Sequence, residues 1–250
     1  MIRLITRGDD AGSSRSANSA IRDAHEKGIL RNTSVLATGL EIADAAEKLI
    51  PLAGLCIGLH ATVTSEWDHP RWGPVLPRDR VADLLDDEGM LPRQVAPLHA
   101  KKVSPDVVIA EIAAQLAKLR ELGFDVKYMD AHMGFTWLDG VNDRMVDLAK
   151  REGLVYQPKV DRLPKAEGEF DPHDHASRVV ASLKAAQDGT YLLVSHPTYD
   201  DDEMRECRGA RHEPGTVGKD RDGQRQVFMR DDILKCVEER GITPTRYDEI

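Results

Sequence analysis

The sequence predicts an α/β protein in which successive βα units build a parallel sheet. Two observations predict it. Short apolar runs of strand length alternate with stretches of helical spacing along most of the 250 residues. Four of those runs also end in polar groups, at Asp9-Asp10, His60, His132 and His196. In a closed parallel barrel the carboxyl ends of the strands open on one face, so these distant residues would meet at one mouth.

The elements follow in order. Leu4-Ile5-Thr6 reads as a buried strand, with Asp9 and Asp10 where it gives way to a loop. From Ser14 to Lys27, Ala17, Ala20, Ile21 and Ala24 recur at helical spacing, and Gly28 ends the helix. Thr33 to Thr38 is the second strand, Glu41 to Leu49 a helix stopped before Pro51, and Leu55 to His60 the third strand. The alternation pauses over residues 61–104, too long for an ordinary βα connection, so this is a loop insertion. Trp67 and Trp72 lie in it, read first as anchors to the barrel and alternatively as a platform for a sugar ring. Ser104 as N-cap and Pro105 in the first turn open the clearest helix, which runs to Leu122. Val126 to His132 is a strand, Val141 to Arg151 a helix, Leu154 to Tyr156 a short strand, and Pro158 to Pro172 irregular. His175 to Gln187 is a helix and Thr190 to Pro197 a strand. Residues 198–225 read as a charged, mobile loop or lid, with a disordered segment as the alternative, Phe228 to Arg240 as the last helix, and Thr243 to Tyr247 as the last strand. No linker divides the chain, so residues 1–250 are read as one domain.

Composition narrows the function. A formal charge of −9 lacks the basic face of a nucleic-acid binder and gives no attraction to an anionic membrane. No stretch approaches the roughly 20 apolar residues of a spanning helix, and Arg3, Arg7 and Asp9 interrupt the N-terminal apolar run. A cytoplasmic location is expected. Cys56, Cys207 and Cys236 are too few and too scattered for a disulfide framework or a cysteine zinc site, and Cys56 is read as a core residue.

The strand-end residues carry the chemistry. Two adjacent carboxylates repel each other, and burying them without a partner costs several kcal/mol. A cation relieves that cost; the bland alternative is a solvated turn with a helix cap. Two imidazoles and one carboxylate make a competent site for a divalent metal with an open position. Such an ion lowers the pKa of bound water, and a second aspartate can take the proton. Residue types alone leave open which aspartate does which.

Gly8-Asp9-Asp10-Ala11-Gly12-Ser13, Gly58-Leu59-His60, Asp130-Ala131-His132 and Ser195-His196-Pro197 resemble, in order and spacing, the motifs of the YdjC-like (ChbG/HpnK) carbohydrate deacetylases. The resemblance spans nearly the whole chain. It implies a distorted TIM-like (β/α) barrel, as in polysaccharide deacetylases, and metal-dependent hydrolysis of an acetamide on a small N-acetylated carbohydrate. It further implies Asp10, His60 and His132 as metal ligands, Asp9 as general base, and His196 as proton donor to the leaving amine or as oxyanion binder. Zinc or magnesium is the expected divalent ion. The chain departs from the family in lacking an aromatic at Ala11 and in carrying Gly134 where a second histidine follows the Asp-x-His motif. The rival readings are a metal hydrolase of another ester or phosphate, and an inactive sugar-binding barrel. Phe135 and Trp137 are placed to flank a sugar. His25, His69, His99, His173, His175 and His212 are read as surface or solvated residues, and a homodimer is the default assembly.

Overall fold

The structure, a computed structural model, describes residues 1–209, 213 and 215–250. Its centre is β1 (Ile2–Ala11), on which the rest of a curled parallel sheet is hung. Along one edge β1 pairs with β6 (Gly189–Ser195), from Ile2 to Gly8. Along the other edge it pairs first with β7 (Ile242–Thr245), over Ile2 to Ile5, and then with β2 (Asn32–Val35), over Arg7 to Ala11. Beyond β2 come β3 (Cys56–Ala61) and β4 (Val126–Ala131). Beyond β6 comes the two-residue β5 (Asp161–Arg162). Every one of these pairings is parallel. The result is a half-barrel whose strand carboxyl ends share one rim, as the predicted barrel requires. The short strand read at Leu154 to Tyr156 appears as a single parallel bridge from Val155 to Tyr128.

Helices cover the outside. They are α1 (Arg15–Lys27), α2 (Ile42–Leu49), α4 (Pro105–Glu121), α5 (Val141–Glu152) and α6 (His175–Ala185), each burying one apolar stripe. The predicted caps are present: Ser14 accepts from the Ala17 amide at 3.0 Å, and Ser104 from Asp106 at 3.3 Å.

Residues 61–104 are irregular, as expected, apart from two 3-10 turns and the short helix α3 (Ala96–Ala100). Their order comes from α4. Glu111, fully buried, accepts from the Val75 and Leu76 amides at 2.8 and 3.0 Å, and Gln115 brackets Thr62 through both amide atoms. Trp72, Leu84 and Leu91 supply the apolar anchors.

The reading of residues 198–225 as a mobile loop is corrected. The segment holds α7 (Asp202–Glu206) and most of α8 (Thr216–Met229). It is tied to α1: Glu203 of α7 accepts from the Arg15 and Ser16 amides at 3.0 and 2.8 Å, a carboxylate on a helix N-terminus. Tyr199 reaches Asp23 at 2.7 Å. The last helix also starts later than predicted. The backbone turns extended at Arg230, and α9 (Asp231–Glu239) follows. The reading of His212 falls outside the described residues.

Candidate metal centre and catalytic pocket

The local fold explains how two neighbouring aspartates reach one pocket. In a regular strand successive side chains point to opposite faces. Between Gly8 and Ala11, however, β1 advances three residues while β2 advances two, from Thr33 to Val35. The extra residue is a bulge, and Asp10 carries it with φ +67, a conformation that aspartate tolerates better than most residues. Asp9 and Asp10 therefore both line a cavity of about 310 Å³, together with His60, His132 and His196. All five predicted residues are brought together. The expectation that the aspartates follow the strand is corrected: they lie within its bulged end.

Three donor atoms face one another. His60 Nε2 and His132 Nδ1 are 3.1 Å apart, and Asp10 Oδ1 is 3.4 Å from each. This is close to the roughly 3.3 Å edge of a tetrahedron with metal bonds of about 2.0–2.1 Å. Asp10 Oδ1 is buried and makes no hydrogen bond. The outer nitrogens are each held by a carboxylate: His60 Nδ1–H donates to Asp130 at 3.0 Å and His132 Nε2–H to Glu66 at 2.8 Å. Both inner nitrogens are thereby left with lone pairs turned inward, the tautomers a metal needs. Burial alone would lower the His132 pKa, but Glu66 and Asp10 outweigh it and push it up to about 9. The surroundings thus demand positive charge between these atoms. Asp10, His60 and His132 form a group able to hold a metal ion.

Asp9 sits beside this group, 4.0 Å from His60 Nε2. Arg7 grips both of its oxygens, at 2.7 and 2.9 Å, and also lies 3.0 Å from Asp130. Burial works against the Arg7 cation, but Asp130 and Asp9 hold its pKa well above the usual value. His196, which lines the same cavity, donates from Nδ1 to Gln224 at 2.9 Å. Burial and the nearby Arg221 lower its pKa, so the ring is mainly neutral at pH 7. Arg221 itself reaches Asp10 Oδ2 at 3.3 Å and lies over the Trp67 ring.

Several of these residues escaped the sequence reading. Glu66 lies in the irregular insertion, and Arg221 and Gln224 in the stretch taken for a loop. Arg7 sits two residues before Asp9 and carried no signal of its own. The tryptophans separate: Trp72 is packed in the core, whereas Trp67, though largely buried, lines the cavity. Phe135 is fully buried and cannot flank a ligand, while Trp137 is 54% exposed and meets the His99 ring at a tilt. Gly134 follows Met133 in a left-handed turn directly after His132.

A parallel half-barrel with an Asp-His-His cluster at the carboxyl rim of its strands defines a barrel-class α/β protein with a cluster that could hold a metal ion. The chain belongs to the YdjC-like protein family, whose profile matches residues 3–239. A carbohydrate deacetylase from Thermoanaerobacter pseudethanolicus is 23% identical over 256 residues, covering 98% of this chain and 97% of that one. A carbohydrate deacetylase from Halalkalibacterium halodurans is 28% identical over 219 residues, covering 82% of this chain and 89% of that one. The crystal structure of a candidate cellobiose-phosphate cleavage protein from Enterococcus faecalis shares the fold, with a TM-score of 0.81 at 21% identity, over 99% of this chain and 98% of that one.

Proposed function

We propose that the chain is a metal-dependent deacetylase that removes the acetyl group from a small N-acetylated carbohydrate. The observation that carries this reading is the inward convergence of Asp10 Oδ1, His60 Nε2 and His132 Nδ1, with Asp9 alongside. Two imidazole nitrogens in the donor set favour zinc over magnesium, which prefers oxygen ligands. When bound, a divalent cation supplies charge that acidifies water and polarises a carbonyl.

The protein's own residues do the remainder. Asp9, oriented by the Arg7 fork, takes a proton from the water that attacks the acetyl carbon. His196, which lines the same cavity, takes up a proton from solvent at Nε2 and, as the imidazolium, passes it to the amine nitrogen as the carbon–nitrogen bond breaks, while Asp9 returns the proton it took to solvent. Trp67 and Met133 line the same cavity, the space this reading assigns to the acetamide and its sugar. The carbohydrate deacetylases among its relatives support the choice of substrate class. The reading is of one domain over residues 1–250 with a cytoplasmic location and a homodimeric assembly. Among the described residues no helix is long and apolar enough to cross a membrane.

Acetate release from a panel of N-acetylated mono- and disaccharides, set beside ester and phosphate analogues, tests the proposal. Acetate from at least one acetamide, lost on chelation and restored by zinc, is expected. Cleavage of the esters or phosphates alone would overturn it.

A further inference from the structure

His196 is held by a chain of side chains that leads away from the cavity along one face of α8. Its backbone N–H and its ring Nδ1–H both donate to Gln224 Oε1, at 3.0 and 2.9 Å. Gln224 Nε2 donates in turn to Asp220 Oδ2 at 2.8 Å, one helical turn back. Asp220 Oδ1 accepts from His175 Nε2 at 3.0 Å. An amide side chain can present either its oxygen or its nitrogen to a neighbour. An ionised carboxylate can only accept. Asp220 at one end and the donating His196 backbone N–H at the other together turn the Gln224 nitrogen toward the carboxylate and its oxygen toward His196.

We propose that Asp220, acting through Gln224, is a positioning residue that fixes the tautomer of His196, placing the proton on Nδ1 and presenting Nε2 to the cavity. The inference deepens the deacetylase reading, because Nε2 is the atom that would exchange a proton with the leaving amine. It rests on that reading for its catalytic consequence but not for the tautomer itself. His175 completes the arrangement by occupying the second oxygen of Asp220, so the carboxylate has a settled orientation. Asp220 does not line the cavity. Its hydrogen-bonded route to His196 runs through Gln224.

The experiment measures the tautomer directly. The full chain, labelled with 15N-histidine and loaded with zinc, gives the protonation pattern of each ring by heteronuclear NMR, with His196 assigned by loss of its signals in His196→Gln. In Asp220→Asn the residue at 220 can donate as well as accept, so Gln224 keeps only the His196 backbone N–H and the Ser195 hydroxyl to hold its oxygen toward His196. The Nδ1–H tautomer of His196 is then expected to give way to a mixture, and kcat to fall about tenfold with KM changed less than about twofold. The exchanged pair Asp220→Asn with Gln224→Glu restores an acceptor facing His196 and a donor facing residue 224. It is expected to return the Nδ1–H tautomer, an outcome that a merely structural role for Asp220 does not produce. Unchanged His196 signals in Asp220→Asn, or a mixed tautomer persisting in the exchanged pair, would overturn the proposal. If the tautomer responds as described while no acetamide is hydrolysed by the parent chain, the deacetylase reading fails and the positioning role stands.

Discussion

His132 donates from Nε2 to Glu66 at 2.8 Å, across a gap of 66 residues between the end of β4 and the long insertion. This hydrogen bond decides which nitrogen of His132 turns inward. Partners of this kind orient metal-ligating imidazoles and raise their basicity, and their removal typically costs 10–100-fold in metal affinity. Glu66→Ala is expected to weaken zinc binding by about that factor while leaving the fold intact. Isothermal titration with zinc measures it. Affinity equal to that of the parent chain would show that His132 needs no such partner.

The two aspartates are expected to separate functionally despite being adjacent. Asp10→Asn removes a charged donor from the Asp10-His60-His132 group, so metal content should fall along with turnover. Asp9→Asn leaves those three donors in place, so metal content should persist while turnover drops by about 10²-fold or more, the range for a lost general base. Metal analysis of both variants beside acetate release makes the comparison. Equal metal loss in both would place Asp9 among the ligands.

Gly58 lies two residues before His60 in β3, where a β-carbon would collide with the Tyr128 ring. That ring is fully buried, and its hydroxyl is paired with Ser34 at 2.9 Å, so it has little freedom to withdraw. Gly58→Ala is expected to cost about 1–3 kcal/mol through overpacking. For a chain of this size that corresponds to a fall in Tm of several degrees, about 2–4 °C per kcal/mol. A melting curve identical to the parent's would contradict the close approach.

Asp23 on α1 fastens the segment that follows His196. Burial works against its charged form, yet the hydrogen bonds from Tyr199, Lys27 and Arg22 prevail and lower its pKa to about 2. A depressed carboxyl pKa contributes stability above the unfolded value of about 3.9, and that contribution disappears as pH falls toward 2. The amount is at most about 2–3 kcal/mol. Asp23→Asn should lose it at neutral pH and flatten the stability profile between pH 4 and 2. Denaturant titrations across that range measure the effect, and parallel profiles for the two proteins would rule it out.

What the sequence revealed and what it concealed have physical causes. His60, His132 and His196 were legible because each ends a short, largely apolar run of strand length, and the parallel topology does the gathering. The shared orientation of Asp9 and Asp10 was not legible, since it depends on a one-residue bulge against β2 that strand periodicity does not register. Helix α8 was hidden for a related reason. Its buried positions are few, at Val217, Gly218, Val227 and Phe228, while Arg221 and Gln224 turn toward the site. A helix whose inner face is polar shows no apolar stripe. Glu66 reaches His132 from irregular backbone, where no spacing rule applies. The packing of Trp72 was foreseen from its setting, but that of Phe135 was not, because the left-handed turn at Met133 and Gly134 redirects the chain just before it.

Anomalous diffraction at the zinc edge, from crystals grown with zinc, tests the central claim most directly. The account predicts one strong peak within bonding distance of Asp10 Oδ1, His60 Nε2 and His132 Nδ1, with Asp9 beside it but still held by Arg7. A peak coordinated by other residues, or none at this cluster in zinc-saturated crystals, would contradict it.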